Sequence, residues 1–293
     1  MGFNLFDVKS VALIGATNKE GKVGNVILKN LLKEFKGKIF PVNPNYDNLY
    51  GLKCYPSVLD IEDNVDSVIV AIPAENVPKV IEESGKKGIR LAIIISAGFS
   101  EVGRKDLEEK ILEYSKKYGI RILGPNGMGI YDPYTGLDTF FVDTDRIKRP
   151  KEGKIALLSQ SGAISLAAME WLSSKDIGVS KIISYGNKID LDEVDILKEL
   201  KDDPNTKAIF IYMEGLKEGR GREFLNVVSE IEKPVIVLKS GKTKRGSLAV
   251  FSHTASMAGD YEIYSNLFKQ YDIIEAKNMN EFMIYLKSIS YYI

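Results

Sequence analysis

Cysteine and histidine are nearly missing from this chain of 293 residues, which contains only Cys54 and His253 of these two types. A single cysteine excludes an intrachain disulfide framework, and one histidine with one cysteine is too few for the usual zinc sites, so we predict no metal site. The scarcity of cysteine is typical of the reducing cytoplasm. Glutamine is also scarce (Gln160 and Gln270), while lysine, isoleucine and glutamate are frequent, a bias that favours a thermophile.

Net charge and long apolar runs are absent as well. Forty basic and forty acidic residues cancel, so the chain has no overall attraction for nucleic acid or for an acidic membrane surface. The longest apolar runs, such as 91–96 and 208–213, are far shorter than the roughly 20 residues that span a bilayer, and no signal-peptide pattern opens the chain. We therefore expect a cytoplasmic protein with neither a nucleic-acid nor a membrane partner.

Apolar runs and helical patterns alternate through the first half of the chain. The predicted strands are 11–16, 38–43, 66–73, 90–96 and 120–124, and the predicted helices are 23–35, 75–87 and 103–118. This alternation predicts a parallel, doubly wound sheet, which binds ligands at the carboxyl ends of its strands.

Residues 127–152 interrupt the alternation with glycine, proline, aspartate and threonine, so we predict two domains, 1–148 and 149–293. A second alternation follows, with strands at 154–159, 179–185, 207–213, 234–239 and 272–275, and helices at 162–174, 192–201, 221–231, 257–270 and 279–288. The predicted fold class is α/β, with a Rossmann-like domain followed by a flavodoxin-like parallel α/β domain.

The turn after the first predicted strand reads GATNKEGKVGN and contains Gly15, Gly21 and Gly24. A glycine-rich turn that opens a helix offers backbone N–H groups and a helix dipole to a phosphate. The spacing is not G-x-G-x-x-G, and the second strand ends at Asn43 and Asn45 without a carboxylate for a ribose, which opposes an NAD site. A plain tight turn is the alternative.

Three other strand ends, at 71–77, 95–103 and 124–129, also contain glycine or proline. Such residues bring backbone close to a ligand, and all four turns are expected on one edge of one sheet.

In the second half, a Ser-Gly turn with Ser159, Ser161 and Gly162 opens a helix and could bind an anion, although N-capping by serine alone would also explain it. Glu214 follows a buried strand, where a carboxylate is costly unless partnered, and it could orient an imidazole. The segment 184–195 is another polar strand end, whose acids could cap the next helix.

His253 lies among small residues in the segment FSHTAS. Its isolation opposes a metal site, and the missing G-x-S-x-G motif opposes a serine hydrolase. Acceptance of a phosphoryl group by the imidazole remains, because a covalent intermediate divides one transfer into two steps.

These segments together resemble the α subunit of the ADP-forming acyl-CoA synthetases, a family that includes acetate–CoA ligase and, more distantly, succinyl-CoA synthetase. The resemblance covers essentially the whole chain and rests on SVALIGAT, AIPAE, SAGFSE, GPNGMG, SQSGA, SYGNKIDLD, YMEG and SHTAS, in this order.

The resemblance implies roles for individual residues. It makes His253 the phosphohistidine and Glu214 its hydrogen-bonding partner, with phosphate held by Ser159, Ser161 and Gly162. It implies that CoA is bound by the first domain, through Gly15, Ala16, Thr17, Lys22, Val23, Gly24, Asn43, Pro44, Ile72, Pro73, Ser96, Ala97, Gly98, Phe99 and Asn126.

The implied reaction converts acyl-CoA, phosphate and ADP into carboxylate, CoA and ATP, through acyl phosphate and phospho-His253. The chain departs from the family in two ways: Gly127 replaces a family cysteine, and no ATP-grasp domain is recognised. The resemblance therefore implies an ATP-grasp β subunit or fused segment as partner, which would hold Mg-ADP or Mg-ATP, and a further α/β domain usually follows in the family.

Two other functions are compatible with parts of the sequence. A CoA-sensing or acyl-CoA-sensing module without catalysis would keep the first domain, but it would not need the imidazole of His253. An NAD-dependent dehydrogenase is opposed by the missing acidic residue after the second strand.

Overall fold

The computed structural model describes residues 5–242 and 261–293, and the chain divides into two compact units. The first unit comprises Met1–Ile147 together with the short interior segment Tyr185–Leu191. The second comprises Lys148–Ser184 and Asp192–Ile293. A domain boundary between residues 148 and 149 stays a prediction, and nothing in the sequence had indicated that the interior segment joins the first unit.

The first unit alternates strands and helices. Its elements are β1 (Ser10–Ile14), α1 (Val23–Glu34), β2 (Lys38–Val42), β3 (Asn48–Leu49), β4 (Leu52–Lys53), β5 (Ser67–Val70), α2 (Val77–Lys86), β6 (Leu91–Ile94), α3 (Lys105–Tyr118), β7 (Arg121–Leu123), β8 (Gly129–Asp132) and β9 (Leu137–Asp138). Five strands form a parallel sheet in the order β2-β1-β5-β6-β7. The pairs β3–β4 and β8–β9 are antiparallel.

The direction of strand succession in this sheet reverses at β1. Leu13 of β1 pairs with Pro41 of β2 on one side and with Ile69 of β5 on the other. Doubly wound sheets bind ligands at such a reversal, outside the carboxyl ends of the strands. The ends of β1 and β5 therefore mark the expected site of the first unit.

The core of the first unit lies between this sheet and its helices. Ile81 of α2 and Ile111 of α3 pack in one buried cluster with Val68 and Ile122 of the sheet. Every residue of β1, β5 and β6 is buried, which explains why these strands are continuous apolar runs rather than alternating ones.

The second unit repeats the same plan. Its elements are β10 (Glu152–Ser159), α4 (Gly162–Ser174), β11 (Val179–Ser184), α5 (Glu193–Asp202), β12 (Ala208–Met213), α6 (Gly221–Ser229), β13 (Val235–Lys239), α7 (Tyr261–Gln270), β14 (Ile274–Glu275) and α8 (Met279–Ser290). Five parallel strands follow the order β14-β13-β12-β10-β11. The reversal lies at β10, where Leu157 pairs with Ile182 of β11 and with Phe210 of β12.

The structure confirms the predicted α/β fold class and its alternating elements. Residues 257–260 of one predicted helix lie outside the described residues. The two short hairpins, β3–β4 and β8–β9, were not predicted, because these short strands lie in segments rich in polar residues, glycine and tyrosine and lack the continuous apolar runs that marked β5 and β6. Within the described ranges, none of the helices combines the length and the apolar character that crossing a bilayer requires.

Candidate functional site

The glycine turn of the first unit lies at the reversal point of its sheet. Gly15 follows β1 with a φ of 90°, and a Cβ at this position would overlap the carbonyl oxygen of Ala71, at the end of β5. A Cβ on Gly24 would overlap the carbonyl oxygen of Gly15. The two glycines therefore allow the start of α1 to contact the ends of both strands. At the first turn of α1, the N-cap residue Lys22 makes no side-chain capping bond, which suits an anion at the helix dipole.

Hydrogen bonds from the amide side chains of Asn43 and Asn25 fix the backbone of this turn. Asn43 Nδ2 donates to the carbonyl oxygen of Ala16 at 2.8 Å. Asn25 Nδ2 donates to the carbonyl oxygen of Thr17 at 3.0 Å and to the hydroxyl of Tyr50 at 2.7 Å. The structure thus brings the predicted Ala16, Thr17 and Asn43 together. Three further residues of this site were not predicted from the sequence: Asn25, Tyr46 and Tyr50. The hydroxyl of Tyr46 is hydrogen-bonded to Thr17 Oγ1.

The ends of β5, β6 and β7 are joined by hydrogen bonds. Ser96 Oγ accepts from the backbone N–H of Ile72 at 3.1 Å and donates to its carbonyl oxygen at 2.6 Å. The carbonyl oxygen of Ser96 accepts from the backbone N–H of Asn126 at 2.9 Å. Asn126 has a left-handed φ of 59°, rare for a residue other than glycine. Three of the four strand ends with glycine- or proline-containing turns, those of β5, β6 and β7, therefore form one connected rim.

The predicted CoA-contacting residues differ in how far they reach solvent. Five of them are exposed, so that their side chains could contact a ligand: Lys22, Val23, Pro44, Pro73 and Ala97. The side chain of Phe99 is completely buried in the core cluster, so only its backbone can face a ligand.

In the second unit, Ser161 is the N-cap of α4, and its Oγ accepts from the backbone N–H of Ile164 at 3.4 Å. The Oγ of buried Ser159 donates to the carbonyl oxygen of Ser161 at 2.7 Å and accepts from its N–H at 3.2 Å. Ser159 therefore shapes the turn from within, while Ser161 and Gly162 are partly exposed at the helix start. This start follows β10, the reversal strand of the second sheet.

Glu214 follows β12, next to β10 at the same reversal, and is 5% exposed. Its backbone N–H donates to Gln160 Oε1 at 3.0 Å, and its carbonyl oxygen accepts from Lys239 Nζ at 2.8 Å. Lys239 Nζ also donates to the carbonyl oxygen of Ser240 at 2.7 Å and lies 5.0 Å from the ring centroid of Tyr264. Gln160 and Lys239 hold the main chain at Glu214 from both sides.

The structure thus brings Glu214 beside the Ser159–Gly162 turn, as expected of two strand ends on one sheet edge. Gln160 and Lys239 were not predicted, although a lysine that ends a buried apolar strand was a visible signal. His253 lies outside the described residues. Among residues 5–242 and 261–293, no group of three histidine, cysteine, aspartate or glutamate side chains could hold a metal ion.

Chemically, each sheet therefore offers a helix N-terminus at its reversal point, where backbone N–H groups and the helix dipole attract negatively charged oxygen atoms. In the part of the chain that the structure describes, the second sheet alone adds a buried carboxylate at that point, which suits the orientation of a basic side chain.

Comparison with known proteins gives two family matches. A CoA binding domain matches residues 9–133, and a succinyl-CoA ligase like flavodoxin domain matches residues 152–289.

Individual relatives resemble the chain over nearly its whole length. It is 48% identical, over 93% of its length, to an ADP-forming acetate–CoA ligase of Methanocaldococcus jannaschii. It is 44% identical, over 98% of its length, to the α subunit of ADP-forming acetate–CoA ligase I of Pyrococcus furiosus. Among solved structures, a dinucleotide-forming acetyl-coenzyme A synthetase 1 of Ca. Korarchaeum cryptofilum, in complex with phosphate and ADP, matches with a TM-score of 0.92 and 43% identity, over 98% of this chain and 61% of that one.

The chain spans 38% of the length of the Methanocaldococcus protein and 63% of the length of the Pyrococcus subunit. The CoA binding match lies within the first unit, and the flavodoxin-domain match covers most of the second unit together with the interior segment Tyr185–Leu191. The two matches follow one another in the order that the resemblance to an α subunit implies. The chain therefore belongs to the family formed by the α subunits and α domains of the ADP-forming acyl-CoA synthetases.

Proposed function

We propose that the protein is the α component of an ADP-forming acyl-CoA synthetase, which interconverts acyl-CoA, phosphate and ADP with carboxylate, CoA and ATP. In the first step phosphate attacks the thioester carbonyl, the C–S bond breaks, and acyl phosphate and CoA form. The imidazole of His253 then takes the phosphoryl group, which breaks the P–O bond and releases the carboxylate. Finally an oxygen atom of the β-phosphate of ADP attacks the phosphorus atom of phospho-His253, the P–N bond breaks, and ATP and the free imidazole form.

The first unit is proposed to bind CoA at the reversal point of its sheet. The start of α1 would bind the phosphates of CoA through backbone N–H groups. It lies against Gly15 at the end of β1, and no side chain of the N-cap residue Lys22 caps it. The rim formed by Ile72, Ser96 and Asn126 would continue the site, with Asn126 near the thiol and acyl end. The family match to a CoA binding domain over residues 9–133 supports this assignment.

The observation on which the proposal chiefly rests is the bond from the Glu214 backbone to Gln160, the residue directly before Ser161. It brings the main chain at Glu214 beside the turn that opens α4, and the side chain of Glu214 is buried. A carboxylate holds an imidazole in one tautomer, and a helix N-terminus stabilises the charge of a transferred phosphoryl group. Glu214 would thus orient His253, while Ser161 and Gly162 would hold the phosphate.

The nucleotide is proposed to bind on an ATP-grasp β subunit or fused segment, together with its Mg²⁺. The partial coverage of the relatives supports such a partner, since the chain accounts for 38% and 63% of the two proteins compared above. Small carboxylates and their CoA thioesters are the proposed substrates.

The test combines the protein with an ATP-grasp partner and ATP labelled in its γ-phosphate. Acid-labile label is expected on the wild-type chain, none on His253→Ala, and about 10²-fold slower labelling on Glu214→Gln, which keeps the shape of the side chain but removes its charge. The control is Glu230→Gln, a change at an exposed glutamate of the second unit. Full labelling of His253→Ala would refute the proposal, and CoA binding without any label on the wild type would indicate the sensing module instead.

A further inference from the structure

The interior segment Tyr185–Leu191 packs closely on the end of β7 in the first unit. A Cβ at Gly186 would overlap the carbonyl oxygen of Pro125, so only glycine allows this approach. The backbone N–H of Asn187 donates to the same carbonyl oxygen at 2.8 Å. The position of the Asn187 side chain is therefore set by backbone contacts to the GPNG turn.

The side-chain amide of Asn187 bonds in two directions. Its Oδ1 accepts from Asn126 Nδ2 at 3.2 Å. Its Nδ2 lies 2.7 Å from Glu101 Oε2, 2.9 Å from Glu108 Oε1 and 3.2 Å from Ser100 Oγ. An amide nitrogen has two hydrogen atoms, and the two carboxylates are the nearer acceptors.

The carboxylate of Glu101, which accepts from Asn187, also binds the backbone of the turn after β6. Its Oε1 accepts from the backbone N–H groups of Gly98 at 2.6 Å and Phe99 at 3.1 Å. Burial alone would raise the pKa of the Glu101 carboxyl, but the hydrogen bonds from Asn187 and from these N–H groups outweigh it, so the pKa lies below its usual value. Glu101 is thus held as a carboxylate that fixes the course of the turn.

These bonds close a ring around the rim of the proposed CoA site. Ser96 binds the backbone of Asn126, Asn126 binds Asn187, and Asn187 binds Glu101, which holds the turn at Gly98, two residues after Ser96. Asn187 is the one member of this ring that comes from beyond the matched CoA binding domain, residues 9–133. Without the side chain of Asn187, the ring is interrupted. The GPNG turn and the SAGFSE turn are then joined by the hydrogen bond from the Asn126 N–H to the Ser96 carbonyl oxygen.

We propose that Asn187 is a positioning residue for CoA binding, which acts through Asn126 and Glu101 and does not itself contact CoA. The inference rests on the proposed function, since it assumes that CoA binds at this rim. The residues that Asn187 joins include Gly98, Phe99 and Asn126, each of which is assigned to the CoA site. Loss of the amide would let the two turns separate at the place where the thiol end of CoA is expected.

The test measures CoA binding to the wild-type chain and to Asn187→Asp by calorimetry, together with thermal unfolding. The aspartate cannot donate and sets a third negative charge against Glu101 and Glu108. The Kd for CoA is expected to rise about tenfold or more, the effect of losing one or two buried hydrogen bonds. With an ATP-grasp partner, the KM for CoA should rise by a similar factor, while kcat at saturating CoA changes by less than about twofold.

A second variant, Glu101→Gln, removes the charge that binds Asn187 but keeps an oxygen for the N–H groups of Gly98 and Phe99. If Asn187→Asp does not fold, the CoA affinity of Glu101→Gln tests the inference. Asn226→Asp, at an exposed position in the second unit, is the control and should bind CoA like the wild type. Wild-type affinity in Glu101→Gln, or in a folded Asn187→Asp, would overturn the inference. Absence of CoA binding by the wild type would instead refute the proposed function.

Discussion

The carbonyl oxygen of Glu214 accepts a hydrogen bond of 2.8 Å from Nζ of Lys239, a lysine whose side chain is completely buried. Burying a cation is unfavourable unless hydrogen bonds or other charges compensate it. The ammonium group of Lys239 donates to the carbonyl oxygens of Glu214 and Ser240 and lies over the ring of Tyr264. This lysine therefore fixes the main chain where the proposed reaction needs a carboxylate.

Replacing Lys239 with methionine keeps an unbranched apolar side chain but removes the ammonium group that donates to the buried carbonyl oxygen of Glu214 and to the partly buried carbonyl oxygen of Ser240. We expect the free energy of unfolding to fall by about 1–3 kcal/mol and labelling of His253 to slow, because the Glu214 backbone loses its support. Urea unfolding and the labelling assay measure these effects. Lys269→Met, at an exposed position of α7, should change neither quantity, and unchanged labelling in Lys239→Met would contradict the expectation.

Gly24→Ala should separate α1 from β1. The added Cβ would overlap the carbonyl oxygen of Gly15, so the helix start must move away from the strand ends. Overpacking of this kind costs about 1–3 kcal/mol of stability, and CoA binding should weaken as well because the helix N-terminus is displaced. Denaturant unfolding and calorimetry give the two values. Gly221→Ala, where a Cβ meets no atom within 4 Å, is the matched control and should be harmless.

Ser96→Ala should loosen the rim of the first unit. The Ile72 N–H loses its acceptor and the Ile72 carbonyl its donor, although the Ser96 backbone bond to Asn126 remains. A loss of about 1–2 kcal/mol of stability and a higher Kd for CoA are expected. Thermal unfolding and calorimetry would detect both, and Ser229→Ala, a change at an exposed helix position, should alter neither. Normal CoA affinity in Ser96→Ala would show that this bond does not shape the site.

Stability at acidic pH should depend on Asp192, which caps α5 and binds Arg220 through two bonds of 2.9 Å each. Burial alone would raise the pKa of the Asp192 carboxyl, but the bonds and charge of Arg220 outweigh it and hold the pKa below its ordinary value. Asp192 therefore stabilises the fold fully above its unfolded pKa of about 3.9, and this contribution is lost as the pH falls through the lower folded value. The neighbouring Asp195 has a pKa raised by burial and by Asp192, so it opposes part of the effect.

Asp192→Asn keeps a capping side chain but removes the charge. At pH 7 we expect it to lower the free energy of unfolding by about 2 kcal/mol, a middle value for hydrogen bonds to charged groups, with a smaller difference from the wild type near pH 3. Urea unfolding between pH 3 and pH 7 measures this difference. Asp176→Asn, which breaks an exposed ion pair with Lys151, should have little effect at any pH. A difference at pH 7 that persists unchanged to pH 3 would contradict the assigned charge effect.

The sequence by itself determined the α/β class, the order of the elements and the strand ends that bear polar or glycine-rich turns. These features are local: buried parallel strands are apolar runs, helices repeat every 3.6 residues, and the carboxyl ends of parallel strands share one edge of a sheet. Gly15, Ser161 and Glu214 could therefore be assigned to strand ends from the local pattern alone, and the order of the motifs identified the family.

Only the tertiary structure decided which side chains support those turns. Gln160 reaches Glu214 across 54 residues of sequence, and Asn187 reaches Glu101 across 86. The first contact depends on the pairing of β10 with β12, the second depends on the close approach that Gly186 allows, and neither is encoded in a local period. The contacts of the buried Lys239 ammonium group were likewise not predictable from the sequence, because its partners are carbonyl oxygens that only the folded sheet edge brings within reach.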